Sequence, residues 1–285
     1  MAATNDMRVL RETVAGGFDA DSIDNFDYRL VRLALPAVHA MARLYFRADV
    51  RGIERVPDGP AMIVGNHNAG ITFLEPFMMG DAWYRSRGES DPLFFLAHDA
   101  MVGIPLFGNV LLKFGCVRAS MGNSRNIFEA GRKLVVFPGG NYEAFRKYSE
   151  RYKVDFGGHK GFARLAVETD VTIVPMLSIG GHETFFVLNR GERLARLTRA
   201  DKVLRSRSFP VSVALPWGVM IGPFFHFPLP AKCTVEFGDP FRPSEVARGN
   251  KSLEKKVDSV YKETIRRVQA MMDERASERR FPVIG

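Results

Sequence analysis

Short apolar runs recur along the chain at intervals that fit the buried strands of an α/β fold. Five runs predict strands, near residues 61–65, 115–118, 134–137, 172–178 and 233–238. The intervening stretches predict helices that alternate with these strands. The segment 252–278 places an apolar residue at every third or fourth position, which predicts an amphipathic helix. We therefore expect an α/β domain over residues 51–285, with a mixed, largely parallel sheet flanked by helices.

Residues 1–50 are predicted to form an N-terminal tail followed by an amphipathic helix over 29–47. In a regular helix, its basic residues would share an arc of about 80°. These residues are Arg29, Arg32, His39, Arg43 and Arg47. An apolar helix with a narrow basic stripe is typical of the membrane interface, and Pro36 with four arginines argues against a transmembrane span. The alternative is a helix that packs on the protein's own core with its arginines in water.

Two neighbouring segments in the second half of the chain are unusual in charge and hydrophobicity. Basic residues recur through 190–207, which predicts an exposed segment that meets anionic lipid headgroups or the phosphates of coenzyme A. Residues 209–230 are apolar but are interrupted by five prolines, so they do not form one regular spanning helix. Three alternatives stay open for them: a hairpin that dips into the bilayer edge, the wall of an acyl-chain tunnel, or an extended loop with a short strand.

Composition and missing motifs argue against several classes of protein. With 285 residues and 46% hydrophobic content, the chain can bury a sizeable core. Cys116 and Cys233 lie far apart without a neighbouring ligand pattern, so we expect neither a disulfide framework nor a metal site. The net charge of +8 fits an anionic membrane surface, and without aromatic platforms or a reading motif we expect no nucleic-acid partner. The usual markers of nucleotide hydrolysis, hydride transfer, serine hydrolysis and zinc proteolysis are missing from the sequence.

The segment NHNAGITFLEP, residues 66–76, contains the first candidate chemistry. The preceding strand ends at Gly65, so His67 emerges into a loop that the sheet supports. A neutral imidazole takes a proton from an alcohol when an acid fixes its tautomer, and Glu75 is close enough in sequence to do so. This pair is half of a Ser-His-Asp triad, with a substrate hydroxyl in place of the serine. The alternative is a structural histidine beside Asn66 in an ordinary turn.

A second group of candidate catalytic or binding residues lies in the segment VVFPGGNYEAFR, residues 135–146. Gly139 and Gly140 let backbone N–H groups approach an oxyanion or a phosphate closely. Glu143 and Arg146 supply charge just beyond the glycines. The alternative is an ordinary strand-to-helix turn. Together with the preceding histidine segment, this pattern suggests acyl transfer to a hydroxyl.

Four blocks, in order, resemble the motifs of the glycerolipid acyltransferase superfamily of bacterial 1-acylglycerol-3-phosphate acyltransferases. They are the Asn-His block at 66–67, FGCVRAS at 114–120, FPGG at 137–140 and VTIVPM at 171–176. The resemblance covers about residues 60–180. It implies His67 as the catalytic base and Arg118 as a substrate-contacting arginine. It also implies acyl-CoA or acyl-carrier protein as donor, a lipid acceptor and no cofactor.

Two departures from the family pattern affect these expectations. The family's acid usually follows its histidine by five positions, where this chain has Thr72, so we expect Glu75 to pair with His67 and Thr72 to be a lesser orienting group. The commoner third block has Glu-Gly-Thr-Arg after the proline, and its arginine grips the acceptor's phosphate. Without that arginine a phosphate-bearing acceptor loses about 1.5–3 kcal/mol. The PGG turn followed by Glu143 resembles instead the diacylglycerol acyltransferase-like branch, which acylates neutral glycerides or other lipid alcohols, although Arg118 and Arg146 remain candidate phosphate ligands.

We therefore expect a peripheral or monotopic acyltransferase on the cytoplasmic face of a membrane. His67 would act as general base and Glu75 would orient it. The predicted substrate-binding residues are Asn66, Thr72, Arg118, Gly139, Gly140, Glu143 and Arg146. Two alternatives use the same fold: an acyl-CoA thioesterase, in which water replaces the acceptor, and a catalytically silent lipid-binding membrane protein.

Overall fold

The computed structural model describes residues 2–68, 70, 72, 74–199, 208–250, 252–281 and 283–284, and the side chains of all of these except 2–5 and 100. The strands are β1 (Asp49–Arg51), β2 (Ala61–Gly65), β3 (Leu93–Ala97), β4 (Cys116–Arg118), β5 (Lys133–Val136), β6 (Thr172–Ile179), β7 (Phe186–Asn189), β8 (Val211–Ala214), β9 (Gly218–Ile221) and β10 (Thr234–Phe237). The helices are α1 (Ala2–Ala15), α2 (Tyr28–Ala40), α3 (Leu74–Arg87), α4 (Asp99–Val102), α5 (Phe107–Lys113), α6 (Met121–Glu129), α7 (Gly140–Ala144), α8 (Gly161–Thr169), α9 (Glu192–Leu197), α10 (Pro243–Val246) and α11 (Leu253–Glu278).

Seven strands form the central sheet, in the order β1-β10-β6-β2-β5-β3-β4. The five strands from β6 to β4 run parallel, β10 is antiparallel to β6, and β1 is parallel to β10. Helices cover both faces of the sheet. The predicted α/β fold with a mixed, largely parallel sheet is confirmed, and all five predicted strands are present. Sequence reasoning missed β1, β3 and the separate antiparallel sheet of β7, β8 and β9.

β2 lies near the middle of the sheet, and its side chains alternate between two hydrophobic clusters. Met62 and Val64 belong to the cluster that includes residues of α8 and α11. Ala61 and Ile63 belong to the opposite cluster, with residues of α3. All four side chains are fully buried, and burying one of the larger apolar side chains contributes about 1.5–3 kcal/mol. Packing on both faces makes the carboxyl end of β2 a rigid support for the residues that follow it.

α2 confirms a helix in the predicted N-terminal region but does not form a single basic stripe. Arg29 pairs with Asp27 at 2.8 Å, and His39 lies 2.9 Å from Asp81. Arg47 donates to the carbonyl oxygen of Val283 at 2.8 Å, so at least three of the five basic residues are engaged within the protein. One π-helical turn, Met41–Tyr45, continues α2. Because a π turn inserts one residue, later side chains rotate by about 100° relative to a regular helix. The predicted arc therefore ends at this turn, and membrane association of the helix stays a prediction.

The two unusual segments of the second half lie beside the small sheet. The apolar segment 209–230 contains the antiparallel hairpin of β8 and β9, and β8 also pairs with β7. α9 covers part of the basic segment and exposes its arginines, whereas residues 200–207 lie outside the described part of the chain. Among the described residues, no helix combines the length and the hydrophobicity that crossing a membrane would need.

Candidate active site

Three neighbouring strands, β6, β2 and β5, end at the same edge of the sheet around His67. β2 leads into the His67 loop, β5 into the PGG turn and β6 into a short 3-10 turn, Gly181–Glu183. The connection after β2 runs towards β3, whereas the connection after β5 runs to β6 on the other side. Open α/β sheets bind ligands outside the carboxyl ends of their strands. The fold thus brings distant motifs of the sequence together at a ligand-binding edge.

Two asparagine side chains fasten the His67 loop to β6. Asn66 donates from Nδ2 to the carbonyl oxygen of Ser178 and accepts at Oδ1 from the Ser178 N–H, both at 2.8 Å. Nδ2 of Asn68 donates to the same carbonyl oxygen at 3.0 Å. Both polar atoms of the Asn66 side chain are therefore used inside the protein. These contacts give Asn66 a positioning role, and its contact with substrate stays a prediction.

His67 is held between two buried carboxyl groups. Its Nδ1 lies 3.3 Å from Oε1 of Glu75 in the first turn of α3, and its backbone N–H donates to Oε2 of Glu143 at 3.2 Å. Oε1 of Glu75 also accepts the N–H of Asn68, which fixes the carboxyl group. The imidazole packs against Phe137, with ring centroids 5.0 Å apart. The structure thus brings the predicted pair together, with Nδ1 of His67 directed to Glu75.

Each of the two positions in the PGG turn is occupied by glycine for a different structural reason. A Cβ on Gly139 would lie 2.3 Å from Cγ of Glu143, so glycine at this position lets the Glu143 side chain fold back beneath the turn. Gly140 has φ of 45°, in the left-handed region. Its N–H donates to the carbonyl oxygen of Phe137 at 3.1 Å. The Gly140 N–H is therefore used within the turn in this conformation, and oxyanion binding by the PGG glycines stays a prediction.

Glu143 and Arg146 form a buried ion pair under the PGG turn. Both side chains are 1% exposed, and Nη2 of Arg146 lies 3.3 Å from Oε1 of Glu143. Arg146 also donates to the carbonyl oxygen of Asp155 at 3.0 Å, and the Asp155 N–H donates to Glu143 at 3.3 Å. These contacts lie within the protein, and substrate binding by Glu143 and Arg146 stays a prediction. The pair supports the turn and, through Glu143, the backbone of His67.

Burial and neighbouring charges shift the pKa of three side chains at this edge of the sheet. Burial lowers the pKa of His67, but the charge and hydrogen bond of Glu75, with the charge of Glu143, outweigh burial and leave this pKa above its usual 6.5. Burial raises the pKa of Glu143 to about 7, opposed chiefly by the charge of Arg146. Burial, followed by the charges of Arg146 and His67, lowers the pKa of His182 to about 3. Of the two histidines, His67 thus has the basicity that general-base catalysis needs.

Of the remaining predicted site residues, Thr72 lies in the same loop as His67, and Arg118 lies apart from it. Thr72 is half-buried in the loop between β2 and α3, and residues 69, 71 and 73 of that loop lie outside the described part of the chain. Arg118 ends β4, three strand positions from β2, which is about 14 Å at the usual strand spacing. Its guanidinium lies 3.3 Å from Asp21 and 3.8 Å from Asp99. Substrate contact by Arg118 stays a prediction, and nearby carboxylates already compensate its charge.

Sequence reasoning missed three residues of the site: Asn68, Ser178 and His182. Asn68 has a local signal, because it repeats Asn66 on the other side of the histidine. Ser178 and His182 follow the VTIVPM block closely, but no pattern marks them as partners of a loop that lies more than a hundred residues earlier. Among the described residues, no three His, Cys, Asp or Glu side chains group as metal ligands would.

Replacing Asn66 by alanine should destabilise the fold and slow the reaction. The buried Ser178 N–H would lose its acceptor, which costs about 1–3 kcal/mol. The His67 loop would lose one of its two ties to β6, and such misplacement lowers turnover on the order of 10- to 100-fold. Urea unfolding and steady-state kinetics measure the two effects. Asn250→Ala, which removes a hydrogen bond to Ser259 remote from the site, should leave turnover unchanged; equal losses in both variants would contradict a positioning role for Asn66.

Similarity to known proteins agrees with the geometry of this site. Residues 47–179 match the Acyltransferase family. The chain is 28% identical over 242 residues to an uncharacterized protein of Mycobacterium tuberculosis, covering 84% of this chain and 64% of that protein. It is 30% identical over 156 residues to the DGAT1/2-independent enzyme synthesizing storage lipids of Bos taurus, covering 54% of this chain and 45% of that enzyme. The chain thus spans less than two thirds of the length of either relative.

A solved structure has a similar α/β fold. The 1-acyl-sn-glycerophosphate (LPA) acyltransferase PlsC from Thermotoga maritima superposes with a TM-score of 0.50 at 17% sequence identity. The superposition covers 86% of this chain and 80% of PlsC, so it includes the central sheet and its flanking helices. Fold, family match and relatives agree with the four motifs, three of which lie on or directly after the strands that end around His67. The match of residues 47–179 to the Acyltransferase family and the lipid-enzyme relative support the glycerolipid acyltransferase superfamily that the four motifs resemble.

Proposed function

We propose that this protein transfers a fatty acyl group from the thioester of coenzyme A or acyl-carrier protein to the hydroxyl of an uncharged lipid alcohol, such as a glyceride. The contact that carries the proposal joins Nδ1 of His67 and Oε1 of Glu75 at 3.3 Å. Glu75 supplies the acid that position 72 lacks. The main argument for a catalytically silent lipid-binding protein, the displaced acid, therefore loses its force.

In the proposed reaction, Nε2 of His67 removes the proton of the acceptor hydroxyl as its oxygen attacks the thioester carbonyl. The carboxylate of Glu75 keeps the proton of the neutral ring on Nδ1 and stabilises the imidazolium that forms. The tetrahedral intermediate then collapses, the carbon–sulfur bond breaks, and His67 returns the proton to the leaving thiolate. The products are one ester and one free thiol. The acyl thioester is a co-substrate, and no step of this scheme draws on a cofactor.

The two candidate phosphate ligands, Arg118 and Arg146, are already paired with carboxylates of the protein, which supports an acceptor without phosphate. Arg146 is almost fully buried and is bonded to Glu143 and to the Asp155 carbonyl oxygen. Arg118 ends β4, the outermost strand on one side of the sheet, and lies beside two aspartates. A phosphate-bearing acceptor would have to break these pairs to gain a charge-assisted contact. The storage-lipid role in the name of the cattle relative agrees with this choice of acceptor.

The acceptor is tested by mass spectrometry of lipids formed from isotope-labelled palmitoyl thioesters. Purified protein is incubated with palmitoyl-CoA or palmitoyl-carrier protein and, separately, with monoacylglycerol, diacylglycerol, a long-chain alcohol or lysophosphatidic acid. We expect labelled ester from the uncharged acceptors and at least tenfold less from lysophosphatidic acid, in line with the missing charge-assisted contact. A clear preference for lysophosphatidic acid would contradict the proposed acceptor class.

The rate should rise with pH through an apparent pKa above 6.5. His67 acts as base only when neutral, and the carboxyl groups beside it favour its charged form, so activity is lost as pH falls through the raised pKa. In Glu75→Gln the stabilising charge is gone while burial remains. The inflection of kcat/KM should therefore move to lower pH, and the plateau rate should fall.

A matched control separates this effect from a general loss of buried charge. Asp81→Asn also neutralises a buried carboxyl group of α3, but its partner is His39 on α2. This variant should keep the wild-type inflection. A wild-type inflection at or below 6.5, or no shift in Glu75→Gln, would count against the His67–Glu75 pair as the base.

A further inference from the structure

The hairpin of β8 and β9 exposes an apolar face to solvent. Val213 faces Val219 across the two strands, and Ile221 lies further along β9 on the same side. Val219 is 68% exposed and Ile221 is 53% exposed. The turn between the strands exposes Leu215 and Trp217, the latter at 58%. Outward positions of a soluble two-layer sheet are normally polar, so this face departs from the usual alternation.

The chain after β9 enlarges this apolar face. Phe224, Phe225 and Phe227 are each more than half exposed. Nε1 of Trp217 donates to the carbonyl oxygen of Phe225 at 2.6 Å, and the Phe227 N–H donates to that of Leu215 at 2.8 Å. These bonds hold the phenylalanines beside the turn. We call the exposed apolar side chains within residues 213–227 the hairpin surface; its clustering exceeds the scattered apolar exposure of ordinary surfaces.

The opposite face of the hairpin connects it to the candidate active site. Ala214 and Met220 are buried in a cluster with Phe145 and Phe185. Phe145 follows α7, and the ring of Phe185 lies 2.8 Å from where a Cβ of Gly70 would stand, in the loop that begins with His67. One layer of side chains therefore separates the hairpin surface from that loop.

Positive charge borders the hairpin surface. The stretch 209–231 contains no Asp, Glu, Lys or Arg, whereas 190–199 contains four arginines and one acid. Arg193, Arg196 and Arg199 are exposed on and after α9. The residues just before α9 and just before β8 are in contact, since the Phe209 N–H donates to the carbonyl oxygen of Arg190 at 2.9 Å. An uncharged aromatic surface with an arginine border is complementary to an anionic lipid bilayer.

We propose that the hairpin surface docks the protein on an anionic lipid bilayer, with the turn at Trp217 entering the interface and the α9 arginines contacting the headgroups. Trp and Phe side chains partition into this region of a bilayer, and arginines beside it gain from negatively charged lipid. The membrane contact then lies at the hairpin, close to the His67 loop, instead of at a basic stripe on α2. This docking does not depend on the chemistry proposed above.

The two tryptophans of the chain provide a direct test. Trp217 is exposed in the hairpin surface, whereas Trp83 belongs to α3 and is fully buried. Vesicles of phosphatidylcholine mixed with phosphatidylglycerol should shift the emission to the blue, and brominated phosphatidylcholine in them should quench it. Trp217→Phe should abolish both changes, because Trp83 stays out of reach of lipid. Wild-type emission that is unchanged at vesicle concentrations where the protein co-sediments would overturn the proposal.

Surface variants measure the contribution of each part. Val219→Ser combined with Ile221→Ser alters only outward side chains and should weaken vesicle binding about 10- to 100-fold with the melting temperature retained. Arg196→Gln combined with Arg199→Gln should lower the preference for anionic over neutral vesicles, by about fivefold per charge. Leu253→Ser, an exposed leucine at the start of α11, is the control and should bind as the wild type does.

Two outcomes would assign the hairpin surface differently. Unchanged vesicle binding in the Val219/Ile221 variant would place the membrane contact elsewhere. Dimers without lipid that disappear in the same variant, together with no vesicle binding by the wild type, would assign this surface to a second copy of the chain. His67→Ala is carried through the binding assay as well: it should bind vesicles normally, so failure of docking and failure of acyl transfer are told apart.

Discussion

Replacing His67 by alanine should lower acyl transfer on the order of 10²- to 10⁴-fold, the contribution of a general base. The imidazole is the group that can take the proton of the acceptor, and its Nδ1 is already directed to Glu75. The fold should persist, because the backbone N–H of residue 67 keeps its bond to Glu143 and the two asparagines keep theirs to β6. Initial rates with a thiol-detecting assay and circular dichroism measure the two properties.

The control for this variant is His159→Ala, which removes an exposed histidine. It should turn over at the wild-type rate. Full activity in His67→Ala would exclude this residue as the base, and loss of the folded circular dichroism spectrum would show a structural role instead.

Replacing Glu143 by glutamine should lower the free energy of unfolding by about 3–5 kcal/mol, as expected when one partner of a buried ion pair is removed. Glutamine keeps the size of the side chain and an oxygen for the His67 N–H. It leaves the guanidinium of Arg146, which is 1% exposed, without a counter-charge. Arginine does not lose its proton in proteins, so the buried charge cannot be relieved. Urea unfolding at pH 8, above the pKa of about 7 that burial gives Glu143, measures the loss.

The two partners of this pair should not be equivalent. In Arg146→Met the remaining carboxyl group can take up a proton, since burial already raises the pKa of Glu143 to about 7. That variant should lose less stability than Glu143→Gln, and the double variant should recover part of the loss. Glu263→Gln, which breaks ion pairs with Arg266 and the half-buried Arg267, leaves both arginines partly in water and should cost less than Glu143→Gln. Equal losses in the Glu143 and Arg146 variants would contradict the asymmetry.

The central strands could be predicted from sequence because both of their faces are covered. The runs that become β2 and β5 are almost fully buried, so they read as continuous apolar segments. β3, Leu93–Ala97, is an equally short apolar run between two helices, but periodicity alone does not separate such a strand from a helical segment. The basic arc of α2 assumed a regular helix, and the π turn at Met41–Tyr45 has no signal in the pattern of residues.

The histidine and its acid could also be predicted, because they lie eight positions apart in one loop and the helix that follows it. The supporting contacts could not. Ser178 meets Asn66 only because β6 and β2 are adjacent in the sheet, which is a property of the topology. The PGG glycines suggested an anion site, whereas in the structure Gly139 makes room for Glu143 and the Gly140 N–H closes the turn. Glycine in a sequence indicates close approach without identifying what approaches.

The balance between ester formed and thiol released tests the proposed reaction most directly. Purified wild-type protein and His67→Ala are incubated with labelled palmitoyl-CoA and a mixed panel of lipid alcohols, and free thiol, lipid ester and free fatty acid are measured in the same samples. We expect one ester for each thiol released by the wild type, and almost none from the variant. Thiol release matched by free fatty acid would identify a thioesterase, and ester formation at the wild-type rate by His67→Ala would contradict the assignment of the base.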